Sequence, residues 1–138
     1  MKLIINVGMY IRDIQKAFNE EYPYLKIEFF RRKHGMQQLS PKKEKLDPFT
    51  IIPLSNGYAK NWSLDAGKEI TVGEFEKECW EKTGVAVQVF RKSRNLWIET
   101  SLTDNWTLQK QNELADSIAH PDDRTKEQKL EDQQFDEE

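Results

Sequence analysis

The stretch ITVGEFEKECWEKTGVAVQVFRKSRNLWIETSL, from Ile70 to Leu102, decides the fold, because a fully punctuated helix runs directly into a β-hairpin. Thr71 followed three residues later by Glu74 is a capping box, in which each side chain satisfies an orphan backbone donor of the first turn. Ile70 and Phe75 flank that cap as a hydrophobic staple. Gly84 supplies a left-handed stop, with Trp80 and Val85 placed for the apolar contact of a Schellman ending. Between these ends Val72, Phe75, Cys79 and Trp80 fall at i, i+3, i+7 and i+8, which is one apolar stripe.

The hairpin pattern is as specific. Val85, Val87 and Val89 alternate with Ala86, Gln88 and Phe90, and Leu96, Ile98, Thr100 and Leu102 alternate with Trp97, Glu99 and Ser101. The two aliphatic sets must share a face, since a slip of one residue sends a whole set to the other side. Pairing Val89 with Ile98 achieves this across a four-residue loop, Lys92 to Asn95, with Asn95 tolerating the left-handed region. A two-residue turn at Ser93-Arg94 fits poorly, because it asks for positive φ at both residues. In this register Phe90 sits opposite Trp97 on the second face, flanked by Gln88 and Glu99.

Upstream, Leu3, Ile5 and Val7 alternate as a first strand. Ile11, Ile14 and Phe18 predict a helix from about Met9 to Glu21, ended by Tyr22-Pro23. Leu25, Ile27 and Phe29 form a second strand, and this strand-helix-strand order suggests a right-handed βαβ unit with the two strands parallel, adjacent or one strand apart. Residues 32–69 read as an irregular loop, with Phe49 to Ile52 as a short edge strand closed by Pro53. Downstream, Thr103, Asp104 or Asn105 caps a last helix to Ala119, with Leu108, Leu114, Ala115 and Ile118 as its core side. The expected architecture is therefore α+β: a two-layer sandwich with one four-stranded mixed sheet, in the order β-α-β-loop-α-β-β-α, and helices mainly on one face. Residues 1–119 form the single domain, and the face away from the helices carries Ile4, Asn6, Glu28, Phe30, Gln88, Phe90, Trp97 and Glu99.

Composition narrows the function classes. With 138 residues, 37% hydrophobic and 33% charged, the chain suits one soluble domain and carries no membrane-length apolar run. The single cysteine excludes an internal disulfide and fits a reducing compartment, so a cytoplasmic location is expected. The net charge of −3 is unevenly spread: residues 31–45 hold six bases against one acid, and residues 120–138 eight acids against three bases. That acidic tail buries too little apolar surface to order itself and reads as disordered.

Catalytic patterns are sparse. The histidines His34 and His120 and the core-stripe Cys79 have no metal-ligand spacing, and no serine stands in a nucleophile elbow. Asp65-Ala66-Gly67-Lys68 lacks both the first glycine and the hydroxyl of a phosphate loop, where Trp62 and Glu69 stand. Glu74 and Glu78 read as cap and solvated helix face. No enzyme activity, cofactor or metal is expected.

Two binding surfaces remain. One is the aromatic sheet face, Phe30, Phe90 and Trp97, with Arg91, Lys92 and Arg94 from the hairpin loop. The other is the basic loop that begins Arg31, Arg32 and Lys33. The leading expectation is a non-enzymatic protein-interaction module, with the 32–69 loop, through Phe49, Ile51, Ile52, Leu54, Tyr58 and Trp62, as the first candidate cover of the aromatic face and a protein partner or a second copy as the other. The alternative is a nucleic-acid-binding module that stacks bases on Phe90 and Trp97 and contacts phosphates through the hairpin-loop arginines and the basic loop, a reading opposed by Glu28 and Glu99 and by the net acidity.

Overall fold

The computed structural model describes residues 1–31, 44–54 and 61–121. Among them the elements are β1 (Lys2–Asn6), α1 (Ile11–Glu21), β2 (Leu25–Phe30), β3 (Asn61–Asp65), α2 (Val72–Thr83), β4 (Ala86–Ser93), β5 (Leu96–Glu99) and α3 (Leu108–Ala119), with a 3-10 turn at Ser101–Thr103. Arg32, Lys33, His34, Lys42, Lys43, Tyr58 and the acidic tail beyond Pro121 lie outside the described residues.

The class is α+β, but the strands form two antiparallel sheets, a β1-β3 ribbon and a β2-β4-β5 sheet, instead of one mixed four-stranded sheet. The expected placement of β1 and β2 as parallel strands of one sheet, adjacent or one strand apart, is not seen, and β2 shows why. Its carbonyls at Leu25, Ile27 and Phe29 point away from β4. They accept from Asn19 Nδ2 (2.8 Å), Gln15 Nε2 (2.9 Å) and the Leu46 N–H (2.8 Å). With that edge closed by α1 side chains and the 44–46 segment, β1 pairs instead with β3, aligning Leu3 with Leu64 and Ile5 with Trp62.

β3 falls inside the stretch expected to be irregular. The Phe49 to Ile52 segment makes no strand; it turns around Asp47, whose Oδ1 accepts the Phe49 N–H at 2.9 Å, and touches Tyr10 by one bridge at Ile51. Carbonyls of this turn cap α1 instead, from Pro48 and Thr50: Ile11 N–H donates to Thr50 O and Arg12 N–H to Pro48 O. These bonds satisfy orphan donors at a helix start where Tyr10 offers no side-chain cap.

The helix α2 forms as its sequence directs. Thr71 Oγ1 accepts the Glu74 N–H at 3.1 Å, and Gly84 at φ 74° ends the helix. Only half of the reciprocal box appears, because the Glu74 carboxylate takes the Thr71 hydroxyl (3.0 Å). Instead, the Val72 and Gly73 N–H groups donate to Trp106 O and Asp104 O. The approach at Gly73 is close: a Cβ there would stand 3.2 Å from Asp104 O, so the Asp104 backbone would have to give by a few tenths of an ångström. On α3 the cap is Thr107, whose Oγ1 accepts the Lys110 N–H at 3.1 Å, because the expected cap positions 103 to 105 are spent on the 3-10 turn and the approach to α2.

All three helices contribute to one core. Ile14 and Phe18 of α1, Phe75 and Cys79 of α2 and Leu108 of α3 meet Leu25, Ile27, Phe29, Val87 and Val89 of the larger sheet. Phe18 and Phe75 pack at 5.4 Å between ring centroids. Trp80 and Ile118, assigned to the core by periodicity, are half-buried. Replacing Phe75 by Ala removes a fully buried ring and should lower stability by about 3–5 kcal/mol, whereas Thr71→Ala should cost about 1 kcal/mol; urea unfolding of both variants measures the contrast.

Candidate interaction surface

The hairpin fixes the geometry of the outer face. Its register is Arg91 opposite Ile98, Lys92 opposite Trp97 and Ser93 opposite Leu96, across a two-residue turn at Arg94-Asn95. This is two residues away from the Val89–Ile98 pairing expected from the pattern. The shift adds pairs at the tip, and it places positive φ (56°) on Arg94 alone, as a turn with one such residue requires. A two-residue shift keeps every side chain on its face, so Phe90 and Trp97 still share the outer side. Phe90, however, faces Glu99, and Trp97 is its diagonal neighbour.

Across β4 from Glu99 comes Lys26, paired with Phe90. Its ammonium lies 5.4 Å from the Phe90 ring centroid and 5.1 Å from that of Trp97, a cation held over both aromatics. The same Nζ is 3.4 Å from Glu28 Oε1, which Lys45 approaches at 3.5 Å, while Gln15 Nε2 donates to Glu28 Oε2 at 3.1 Å. Two ammoniums and an amide thus compensate a carboxylate that is nearly buried. Gln88, also on this face, is sealed beneath the 3-10 turn, where Ser101 Oγ stands 3.5 Å from its Oε1.

Between these rows lies a groove of about 840 Å³, walled by Phe30, Phe90, Trp97, Ile98 and Leu102, with Lys26, Lys45 and Glu99 at its rim. A shallower hollow of about 390 Å³ adjoins it beyond Lys26 and Trp97, under Arg12 and Lys16 of α1. Of the described loop residues 44–54, only Lys45 lines the larger groove; Ile52 is buried in the core and Leu46 and Leu54 pack against it. Along the rim the edge strand is unusually bare: Leu96 is 70% exposed, Trp97 36%, Ile98 40% and Leu102, just beyond, 77%.

The sequence-derived residues divide. Phe30, Phe90, Trp97 and Lys92 share the outer face, and Arg94 sits in the hairpin turn. Arg91 does not join them: its Nη1 donates to Gln111 Oε1 of α3 at 3.2 Å, and its guanidinium lies 5.8 Å from the Trp106 ring. Arg31 is exposed at the end of β2, its N–H donating to Glu44 O. Lys26, Ile98 and Leu102 were not singled out by sequence. Lys26 becomes central only through its cross-strand position, which no local pattern encodes.

Among the described residues no group of three or more His, Cys, Asp and Glu side chains is placed to hold a metal ion. No described helix is long and apolar enough to cross a membrane. Burial pushes the Cys79 thiol up to about 12, so it carries no thiolate near neutrality. Glu78 is not merely solvated, since its Oε1 accepts the Asp65 N–H at 2.8 Å.

Glu76 is the unforeseen group. It falls at i+4 from Val72 on the apolar stripe, an acid where the pattern asks for an apolar residue, and its Oε2 accepts the Val89 N–H at 3.0 Å. Burial pushes its carboxyl up to about 8; the Val89 N–H pulls against that rise, and the nearby Asp104 and Glu99 charges add to it. Comparison with protein-family models, with curated proteins and with solved structures finds no match to this chain.

The raised Glu76 value has a definite sign. Between its ordinary value of 4.5 and about 8, the folded chain holds a proton that the unfolded chain has released. Stability should therefore fall as pH rises through that interval. Urea midpoints between pH 5 and pH 8 should show the decline, and Glu76→Gln should flatten it.

Proposed function

We propose that this chain is a non-enzymatic, cytoplasmic protein-interaction module that engages its partner through the groove and open edge of the β2-β4-β5 sheet. The observation that supports it is the bare apolar run Leu96-Trp97-Ile98 beside the groove of Phe30 and Phe90. Contiguous apolar surface of this kind, rimmed by charge, is what protein contacts bury. The buried, free Cys79 accords with a reducing compartment.

A nucleic-acid reading draws on Phe90, Trp97 and the cations Lys26 and Lys92. It is the weaker one, because the Lys26 ammonium already lies over both rings where a base would stack, and Glu99 faces Phe90.

The test is photocrosslinking of the full chain in the cells that express it. A p-benzoylphenylalanine replaces Leu102, and a control carries it at the exposed Glu20 on α1. The expected result is protease-sensitive adducts at position 102 and none at position 20. Equal labelling at both positions, or adducts removed by nuclease, would overturn the reading.

A further inference from the structure

The β2-β4-β5 sheet has two edges, and only one is finished. On β2 the outward carbonyls are taken by Asn19, Gln15 and Leu46. On β5, among the described residues, no strand lies alongside. Lys92 donates its N–H to Tyr24 O, on the β2 side. Its pair with Trp97 is therefore a non-hydrogen-bonded one, and the Trp97 N–H and C=O point away from β4 toward the open edge. Edge strands are ordinarily blunted by charge, proline or a bulge. Leu96-Trp97-Ile98 has none of these and is apolar on both faces, as strands inside a sheet are.

We propose that β5 pairs antiparallel with β5 of a second copy about a two-fold axis at Trp97, merging two three-stranded sheets into one of six strands. This names the partner of the interaction module proposed above and rests on that reading. The axis is fixed by hydrogen bonding, since a strand pairing with itself must centre on a residue whose backbone groups point outward. Moving it two residues forward sets Glu99 against Glu99, like charges directly opposed. Moving it two residues back centres it on the Arg94-Asn95 turn, where the strand has ended.

At Trp97 the register is self-complementary. Leu96 of each copy faces Ile98 of the other, burying the two most exposed side chains of the strand against each other. Asn95 faces Glu99, which brings that carboxylate beside the oppositely charged Arg94 of the second copy. The two Trp97 side chains lie side by side and extend the groove wall across the axis.

Sedimentation equilibrium of the full chain, from micromolar to near-millimolar concentration, reads the association. The wild type should show a monomer–dimer equilibrium, with hydrogen-exchange protection of the Trp97 amide rising as dimer accumulates. Leu96→Lys and Ile98→Glu should each weaken association by about a hundredfold, because a two-fold interface counts every substitution twice. The thermal midpoint of Leu96→Lys should match that of the wild type at dilutions where the wild type is monomeric. An equimolar mixture of the two variants should recover the dimer, since the new lysine then faces the new glutamate while the second contact stays native. A wild type that remains monomeric throughout overturns the proposal. So does a dimer indifferent to both variants, or a mixture no tighter than either variant alone. Adducts to other proteins at position 102 would leave the interaction reading standing in those cases.

Discussion

The larger sheet hangs on the peptide of Val89. Its carbonyl accepts the Thr100 N–H (3.2 Å), the Thr100 hydroxyl (2.9 Å) and Gln88 Nε2 (2.8 Å). Its N–H leaves the ladder and goes to the Glu76 carboxyl on α2. A regular ladder would return that N–H to the Thr100 carbonyl. Because α2 takes it, β5 stops at Glu99 and the chain folds into the 3-10 turn. The Thr103 carbonyl and hydroxyl then receive Gln111 Nε2, whose Oε1 takes Arg91. One diverted hydrogen bond thus links α2, the end of β5, the groove wall at Leu102 and the docking of α3.

The outer face depends on a second compensation. A carboxylate nearly out of water is costly unless its oxygens are occupied, and Glu28 has Lys26, Lys45 and Gln15 around it. Two of those partners do further structural work. Gln15 also closes the Ile27 carbonyl at the β2 edge, and Lys26 also lies over Phe90 and Trp97. The aromatic pair, the buried acid and the finished edge are therefore one connected arrangement.

What the sequence made legible follows from how local each signal is. The Thr71 cap, the Gly84 stop and the α2 stripe act within a few residues, and the structure forms the cap, the stop and the stripe at Val72, Phe75 and Cys79. The outer-face membership of Phe30, Phe90 and Trp97 was readable because alternation survives any even shift of register. By contrast β3 contributes one buried residue, Leu64, with Trp62 half-buried, too little periodicity to stand out from its polar neighbours. The division into two sheets turns on Asn19 and Gln15, which in the α1 pattern look like ordinary surface amides. Arg91 was grouped with the aromatics by nearness in sequence, although odd positions of β4 face the helices. Glu76 did leave a mark, an acid on an apolar stripe, but its meaning required knowing that Val89 lies against it.

The even-numbered character of the hairpin has a consequence for how such a surface can vary. Sliding the two strands by two residues at the Arg94-Asn95 tip leaves every inward side chain inward. On the outside the same change deals new neighbours: Phe90 meets Glu99 in one register and Trp97 in another. Steps of two therefore keep each side chain on its face while changing what it meets across the hairpin, and the buried Thr100 against Val89 ties the interior to the register observed.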